Sequence, residues 1–357
     1  MMIIIKYNIY YMIFSKETEE LFKHYDINDE LFKNAEVNKL FHFLNNVKSS
    51  YTSLNIEQMR LKSIHIPEYV QDNIPEISDE IKQMYEYTHI SFKTSISDVN
   101  VSVFSKEVAS TLTINSLIYI ISFIANISNH NITNLNINIY LSDHKKIMNY
   151  PYLKKVNINS GYCKFISDTQ SDIMIYRSEE LLKVTIHELI HGFRYDYAGS
   201  RYDSNELIHK YIKNYKISVD QILSNEAYTE IWANIIHSYL LSKLFNKRKL
   251  IFIILLSYEK LFSMIQASKI LKLIKDKNYE INRYTAVLSY FIIRAEIYTQ
   301  LSRFLHLCKH SNQKYINVKY PNNIINFLSS LPKYKYHFTV TQSLQHTSRM
   351  SGFSIIT

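Results

Sequence analysis

The chain has 357 residues, 46% of them hydrophobic, and a formal net charge of +9. This length and apolar content allow one large domain or two smaller ones, and two cysteines, Cys163 and Cys308, exclude a disulfide framework and favour a reducing compartment. With four glycines and five prolines to interrupt the chain, we expect long elements, mainly helices.

The positive charge would permit a nucleic-acid partner, but the basic residues are scattered along the sequence. The densest run, Lys243 with 247–249, is typical of the C-terminal end of a helix, where the helix dipole favours cations. We therefore expect a solvated face and no specific nucleic-acid partner. If nucleic acid does bind, its affinity should fall steeply with salt.

The first fourteen residues are apolar but include Lys6 and Asn8, lack a small-residue cleavage site and are too short to span a bilayer. They predict a buried strand in preference to an anchor. The apolar segments 117–127 and 250–258 fall short of about 18 uninterrupted apolar residues and predict core helices. The sequence thus predicts a soluble protein with no membrane span, and it indicates no oligomeric state.

Alternating and continuous apolar patterns predict the elements that follow a mainly helical region at 1–95. Val99, Val101 and Val103 alternate in a strand over 98–104, and a continuous apolar run predicts a buried helix at 114–128. Further short strands are predicted at 135–142, 160–166 and 172–177. The chain then reads as helical from about 222 to 310, and 331–357 is a polar tail.

A helix is predicted at 179–194. Ser178 offers a hydroxyl cap, and Glu179 and Glu180 would lie in the first turn, where the helix dipole favours negative charge. On this helix His187 and His191 are four residues apart, so their rings project from one face. Two such imidazoles can bind one Zn²⁺, and Glu188 beside them can act as general base towards the water that the metal activates. The alternative is a buried helix whose histidines are satisfied by hydrogen bonds.

A second motif strengthens the zinc interpretation. Asn225 to Glu230 (NEAYTE) open another predicted helix, on which Glu226 and Glu230 share a face. A catalytic zinc needs a third protein ligand and an open fourth position, and Glu226 suits the third. Glu230 could accept the remaining ring N–H of a ligating histidine. Because the helix continues as a strongly apolar segment, exposed carboxylates are the weaker interpretation.

With these two motifs the chain resembles the gluzincin branch of the zincin metallopeptidases, the thermolysin-like clan. NEAYTE resembles the Asn-Glu-x-x-Ser-Asp motif of that branch, with Thr229 for Ser and Glu230 for Asp. The resemblance implies Glu226 as third ligand and Glu230 as the partner of His187. The metzincin pattern is excluded, because Arg194 and Tyr197 stand where it needs Gly and His.

The resemblance also implies an α+β, zincin-like fold: a small mixed sheet, an active-site helix and a mainly helical C-terminal half. The zincin N-terminal subdomain would cover 96–220, with 114–128 as backing helix and an edge strand near 160–166 that pairs with extended substrate. The helical subdomain would cover 221–330. Zincins usually stabilise the oxyanion with a side chain from that subdomain, and Tyr290, with Arg294 one turn on, is the candidate.

The sequence thus predicts a zinc-dependent metallopeptidase that hydrolyses a peptide or protein substrate, with Glu188 first as base and then as proton donor to the departing amine. The alternative is a catalytically inactive zincin-fold protein with a structural or binding role, such as a virion or scaffold component. Zincin-like proteins with similar blocks occur among large DNA viruses, which agrees with a composition typical of an AT-rich genome. We expect an intracellular or virion-associated location.

Overall fold

The computed structural model describes residues 15–27, 29–148, 153–198, 205–277, 281, 285–335 and 337–353. The buried strand expected in the first fourteen residues lies outside these ranges. The described residues form a mixed α+β fold, as predicted, with a six-stranded mixed sheet and many helices.

The α-helices among the described residues are, in chain order, α1 (Lys16–His24), α2 (Ala35–Asn45), α3 (Glu68–Asn73), α4 (Ser78–Ile81), α5 (Thr111–Ala125), α6 (Lys155–Ile158), α7 (Leu181–Gly192), α8 (Asn205–Tyr215), α9 (Ser224–Ser242), α10 (Arg248–Lys277), α11 (Arg294–Thr299), α12 (Leu301–Ser311), α13 (Pro321–Ser330) and α14 (Gln342–His346). Short 3-10 turns occur at Asp29–Lys33 and Pro75–Ile77, and a π-helical segment at Leu288–Ile293. The strands are β1 (Thr52–Arg60), β2 (Glu86–Lys93), β3 (Asp98–Ser105), β4 (Asn134–Tyr140), β5 (Gly161–Ser167), β6 (Gln170–Ile175), β7 (Asn312–Gln313) and β8 (Asn317–Val318).

The chain divides into two compact units. The sheet unit contains residues 47–146 and 154–195, and the helical unit contains the described residues of 1–46, 147–153 and 196–356. The main sheet and helix α7 belong to the first unit, and helices α9 and α10 belong to the second.

The sheet has the strand order β1-β2-β3-β4-β6-β5. Strands β3, β4 and β6 are parallel, whereas β1, β2 and β5 pair antiparallel with their neighbours, and β5 forms one edge. The alternating valines of β3 are buried, as the sequence predicted, because successive side chains of a strand point to opposite faces. Helix α7 packs against β5, β6 and α5.

Two strands in the N-terminal region were not predicted. In β2, Thr88, Ile90 and Phe92 are buried and alternate with less buried side chains, a period-2 pattern that the sequence analysis overlooked. Strand β1 is exposed along its whole length. Because neither of its faces is buried, its sequence does not need the alternation of hydrophobic and polar residues by which a strand is recognised. The region 1–95 therefore contributes strands to the sheet as well as helices.

The helical unit centres on α9 and α10, which pack against each other and against the π-helical segment. This agrees with the helical pattern predicted from about 222 to 310. Within α10, Arg248–Lys275 is long and apolar enough to cross a membrane by length and composition, but 83% of its apolar window is buried inside the protein. A buried core helix meets the same criteria, so the expected absence of a membrane span stays a prediction.

The segment 331–357, which the sequence analysis treated as a polar tail, contains many buried residues. Tyr334, Leu344 and Phe353 are at most 2% exposed. The buried Glu259 of α10 accepts hydrogen bonds from the Ser351 hydroxyl and from the Gly352 amide, at 3.1 Å for the amide. The described part of this segment is thus anchored to the core of the helical unit by apolar packing and by a buried carboxylate.

Candidate metal centre

Helix α7 begins at Leu181, and its start differs from the predicted one. The Ser178 hydroxyl donates to the Ser142 carbonyl at 2.8 Å and does not cap the helix. Glu180 lies in the left-handed region with φ 60°, and its carboxylate pairs with the Lys146 ammonium at 2.8 Å, both side chains fully buried. Glu179 accepts from the Lys146 amide at 2.6 Å. The two carboxylates therefore bind a buried lysine and do not lie in the first turn.

The other end of α7 is held against the edge strand. Arg194 follows the helix in the left-handed region with φ 57°, and its amide donates to the His191 carbonyl at 2.8 Å. Its guanidinium donates to the Ser167 carbonyl and lies 4.7 Å from the centre of the Phe165 ring. These contacts with β5 fix the turn of helix that carries His191.

His187 and His191 converge as the i, i+4 spacing predicts. Their Nε2 atoms are 3.1 Å apart, and the side chains are buried, with 7% and 6% exposure. Two nitrogens that share a tetrahedral zinc at 2.0–2.1 Å lie about 3.3 Å apart. The distance between the two Nε2 atoms is therefore within a few tenths of an ångström of the distance in a tetrahedral zinc site.

Glu226 completes a group of three. One potential ligand atom from each of His187, His191 and Glu226 lies within 4.8 Å of the others, and Glu226 is half-buried. The structure brings the three side chains together, and their role as metal ligands stays a prediction.

The first turn of α9, which carries Glu226, is fixed by residues just beyond α7. Asp196 Oδ2 accepts from Thr229 Oγ1 at 3.2 Å and from Asn225 Nδ2 at 3.4 Å. The Tyr197 hydroxyl donates to Ser224 Oγ at 2.9 Å. The Asn and Thr of the NEAYTE motif thus orient the helix through Asp196, a residue that the sequence analysis did not single out.

Glu230 makes a buried ion pair within the helical unit. Its Oε1 accepts from Arg294 Nη1 at 2.8 Å, and neither side chain is exposed. Arg294 also donates to the Met350 carbonyl. Arg294, considered from the sequence alongside Tyr290 as an oxyanion donor, is therefore engaged with a carboxylate. The predicted bond from His187 to Glu230 stays a prediction.

Glu188 is 5% exposed and lies against the start of the edge strand. A methyl group built at Gly161 would lie 2.9 Å from Glu188 Oε1 and 3.0 Å from its Cγ. Burial, then the Glu188 charge, raise the pKa of Tyr69 to about 12. Sequence reasoning missed both Gly161 and Tyr69, although an isolated glycine in a strand indicates close approach of another group.

Tyr290 lies in the π-helical segment Leu288–Ile293 and is 8% exposed. This segment packs against α9, the helix of Glu226 and Glu230. Single π-helical turns are frequent at functional sites. Oxyanion stabilisation by Tyr290 stays a prediction.

Comparison of the chain with models of protein families, with curated proteins and with solved structures finds no match. A functional assignment therefore depends on the geometry of His187, His191, Glu226 and Glu188.

Proposed function

We propose that the chain is a zinc-dependent metallopeptidase of gluzincin type. The observation that carries the proposal is the meeting of His187, His191 and Glu226, whose ligand atoms lie within 4.8 Å of one another. Two imidazoles and one carboxylate are a ligand set of known catalytic zinc sites, which keep a fourth position for water or substrate.

His187, His191 and Glu226 would hold the metal. The 3.1 Å separation of the two Nε2 atoms fits a shared cation. Two neutral imidazoles could instead share a hydrogen bond at this distance, but a half-buried carboxylate close to both favours a cation. Bound there, Zn²⁺ would lower the pKa of a water molecule to about 7 and polarise a carbonyl oxygen.

Glu188 follows the first histidine in α7, so its side chain points about 100° round the helix from the metal-binding face. It would take a proton from the attacking water and then donate that proton to the departing amine. Because Glu188 is buried, few water molecules would compete for its carboxylate. Tyr290 would donate to the oxyanion, and Glu230 would orient His187.

The fold supports a zincin-type arrangement and an extended substrate. Strand β5 is an edge strand beside α7, and an extended peptide can add to such an edge through main-chain hydrogen bonds. A bound chain would then run close to Glu188, since Gly161 of β5 lies against that carboxylate. A peptide or protein is therefore the proposed substrate class.

The test compares the unmodified protein with Glu188→Gln, using a casein or peptide pool, with zinc content measured in each sample. We expect chelator-sensitive cleavage that falls by about 10²–10⁴-fold in Glu188→Gln, the usual contribution of a general base, while bound zinc is retained. Glu206→Gln is a matched control, because Glu206 lies exposed in the first turn of α8, and it should leave cleavage unchanged.

Two outcomes would overturn the proposal in different ways. An unmodified protein that binds zinc but cleaves nothing would be an inactive zincin-fold protein with a binding or structural role. An unmodified protein that binds no zinc would leave the His187–His191 pair as a buried hydrogen-bonded pair, and the metallopeptidase proposal would fail entirely.

A further inference from the structure

We infer that Gly161 is a positioning residue for Glu188: the missing side chain at residue 161 is the space that the Glu188 carboxylate occupies. The catalytic consequence depends on the proposed function, in which Glu188 is the general base. The packing relationship itself does not depend on it, since both residues belong to the sheet unit.

The backbone conformation at residue 161 does not explain why this residue is a glycine. Gly161 is the first residue of β5 and pairs with Ile175 of β6. Its φ lies outside the left-handed region. Any residue could adopt this conformation, and a side chain would usually favour a strand. In a chain with four glycines, the use of one here calls for a reason other than conformational freedom.

The reason is space. A Cβ at residue 161 would lie 2.9 Å from Glu188 Oε1, 3.0 Å from Glu188 Cγ and 2.9 Å from the Met174 carbonyl oxygen. Side-chain carbons practically never approach other heavy atoms this closely, so something must move. Two of these three contacts are with Glu188, and the third is with backbone held in the β5–β6 ladder. The Glu188 side chain can give way by rotation, whereas the contact with the Met174 carbonyl remains and requires a small backbone shift.

Two tyrosines of the sheet unit, Tyr69 and Tyr176, interact electrostatically with Glu188. The phenol of Tyr69 and the buried phenol of Tyr176 lie close enough for the Glu188 charge to raise the pKa of each, after the larger effect of burial. Tyr69 is itself fixed by stacking on Tyr162, with ring centres 3.9 Å apart. Because Tyr162 follows Gly161 in β5, one short segment of the edge strand provides both the space for the carboxylate and the ring that stacks on Tyr69.

Gly161→Ala should therefore displace the carboxylate of Glu188 while the proposed ligands His187, His191 and Glu226 stay unsubstituted. In the proposed enzyme this predicts unchanged zinc content with a kcat lowered by about 10-fold or more, since a misplacement of about 1 Å can lower a rate about 10²-fold.

Gly192→Ala is the matched control. A Cβ at Gly192, the last residue of α7, would also approach a heavy atom to 2.9 Å, but that atom is the flexible Cδ1 end of Ile173. Both substitutions add one methyl group to the packing of α7 on the sheet. Gly192→Ala should leave kcat within about twofold of the unmodified value, because Ile173 can rotate away.

The decisive experiment is a double-mutant cycle in thermal unfolding of the metal-free full chain, with Gly161→Ala and Glu188→Ala alone and together. If the two groups compete for space, Gly161→Ala lowers Tm, and the part of that loss caused by Glu188 disappears in the Glu188→Ala background, while the part caused by the Met174 carbonyl remains. The shift caused by Gly192→Ala should be the same in both backgrounds, because it does not involve Glu188.

Additive Tm shifts for Gly161→Ala and Glu188→Ala would overturn the inference, because they would place the cost on the Met174 carbonyl alone. If Gly161→Ala does not fold, the double variant decides: it should fold, and its failure to do so also overturns the inference. Strong coupling in a zinc-loaded protein that cleaves no peptide would refute the proposed function while leaving the positioning of Glu188 by Gly161 intact.

Discussion

Helices α7 and α12 each carry two histidines four residues apart, but the two pairs differ in burial and in the carboxylate near them. His187 and His191 are buried and direct their Nε2 atoms to within 3.1 Å of each other. His306 and His310 are exposed, although their ring centres are 4.4 Å apart. Spacing places two rings on one helix face, whereas burial and a third donor decide whether they can form a metal site.

The two histidine pairs also differ in the carboxylate that lies near them. Glu226 lies with the α7 pair. His306 Nδ1 is 3.9 Å from Glu36 Oε1, but that carboxylate is bound by Lys39 at 2.6 Å, and this hydrogen bond holds its pKa below the ordinary value. A carboxylate already neutralised by an ammonium group is a poor ligand for a further cation.

The largest effect should follow from removing one imidazole of the buried pair. His191→Ala leaves two of three proposed ligands, and we expect zinc affinity to fall by about 10³-fold or more, because even partners outside the ligand shell contribute about 10–100-fold. Competition with a chromophoric chelator measures this. If His191→Ala keeps its helix content and its zinc affinity is unchanged, the buried histidine pair is not a metal site and does not differ from the exposed pair in this respect.

The next effect separates the two carboxylates of α9, which share the spacing of the histidine pairs. Arg294→Met leaves Glu230 buried without its cation, and we expect a loss of about 3–5 kcal/mol of unfolding free energy. Glu226→Gln is the control, and it should cost much less because Glu226 is half-buried. Urea unfolding measures both. Equal losses would mean that burial of the ion pair does not distinguish Glu230 from Glu226.

A smaller effect tests burial on a histidine outside both pairs. His130 packs on Phe193 with ring centres 4.4 Å apart, its Nδ1 accepts from the Ile132 amide at 3.2 Å, and burial lowers its pKa to about 4. The unfolded chain binds this proton below a pH of about 6.5. The stabilisation by neutral His130 is therefore complete above pH 6.5 and is lost as pH falls towards 4.

Unfolding free energy measured across this range should fall by roughly 2 kcal/mol more in the unmodified protein than in His130→Phe, less than the full shift because the side chain is partly exposed. A variant with the same acid sensitivity as the unmodified protein would contradict the assignment. His306→Gln, which removes an exposed imidazole, is the control.

Some elements of the fold and part of the candidate site could be predicted from the sequence. The strands β3, β4 and β6 were predictable because buried side chains alternate along them, and the helices α7 and α9 because a long apolar sequence is almost wholly buried. The histidine convergence followed from helix geometry alone. The proximity of Glu226 was inferred from a motif, since no local rule relates residues 35 positions apart.

Contacts between distant residues account for most of what the sequence did not predict. Ser178 matches a helix cap, but Ser142 and Lys146 of a preceding loop take over the polar groups at this end of α7. The partner of Glu230 is 64 residues away in sequence. Strand β1 has no buried face. Where a side chain is determined by a tertiary partner, propensity and periodicity give no indication of it.

The smallest expected effect is also the sharpest control on the opening comparison. His306→Ala combined with His310→Ala removes a pair with the same spacing as the α7 pair and should leave zinc affinity and cleavage unchanged within about twofold. Loss of stability should be within about 0.5 kcal/mol, as for surface substitutions generally, because both side chains are exposed. If zinc stoichiometry instead falls, α12 binds metal, and an exposed histidine pair suffices without a buried carboxylate.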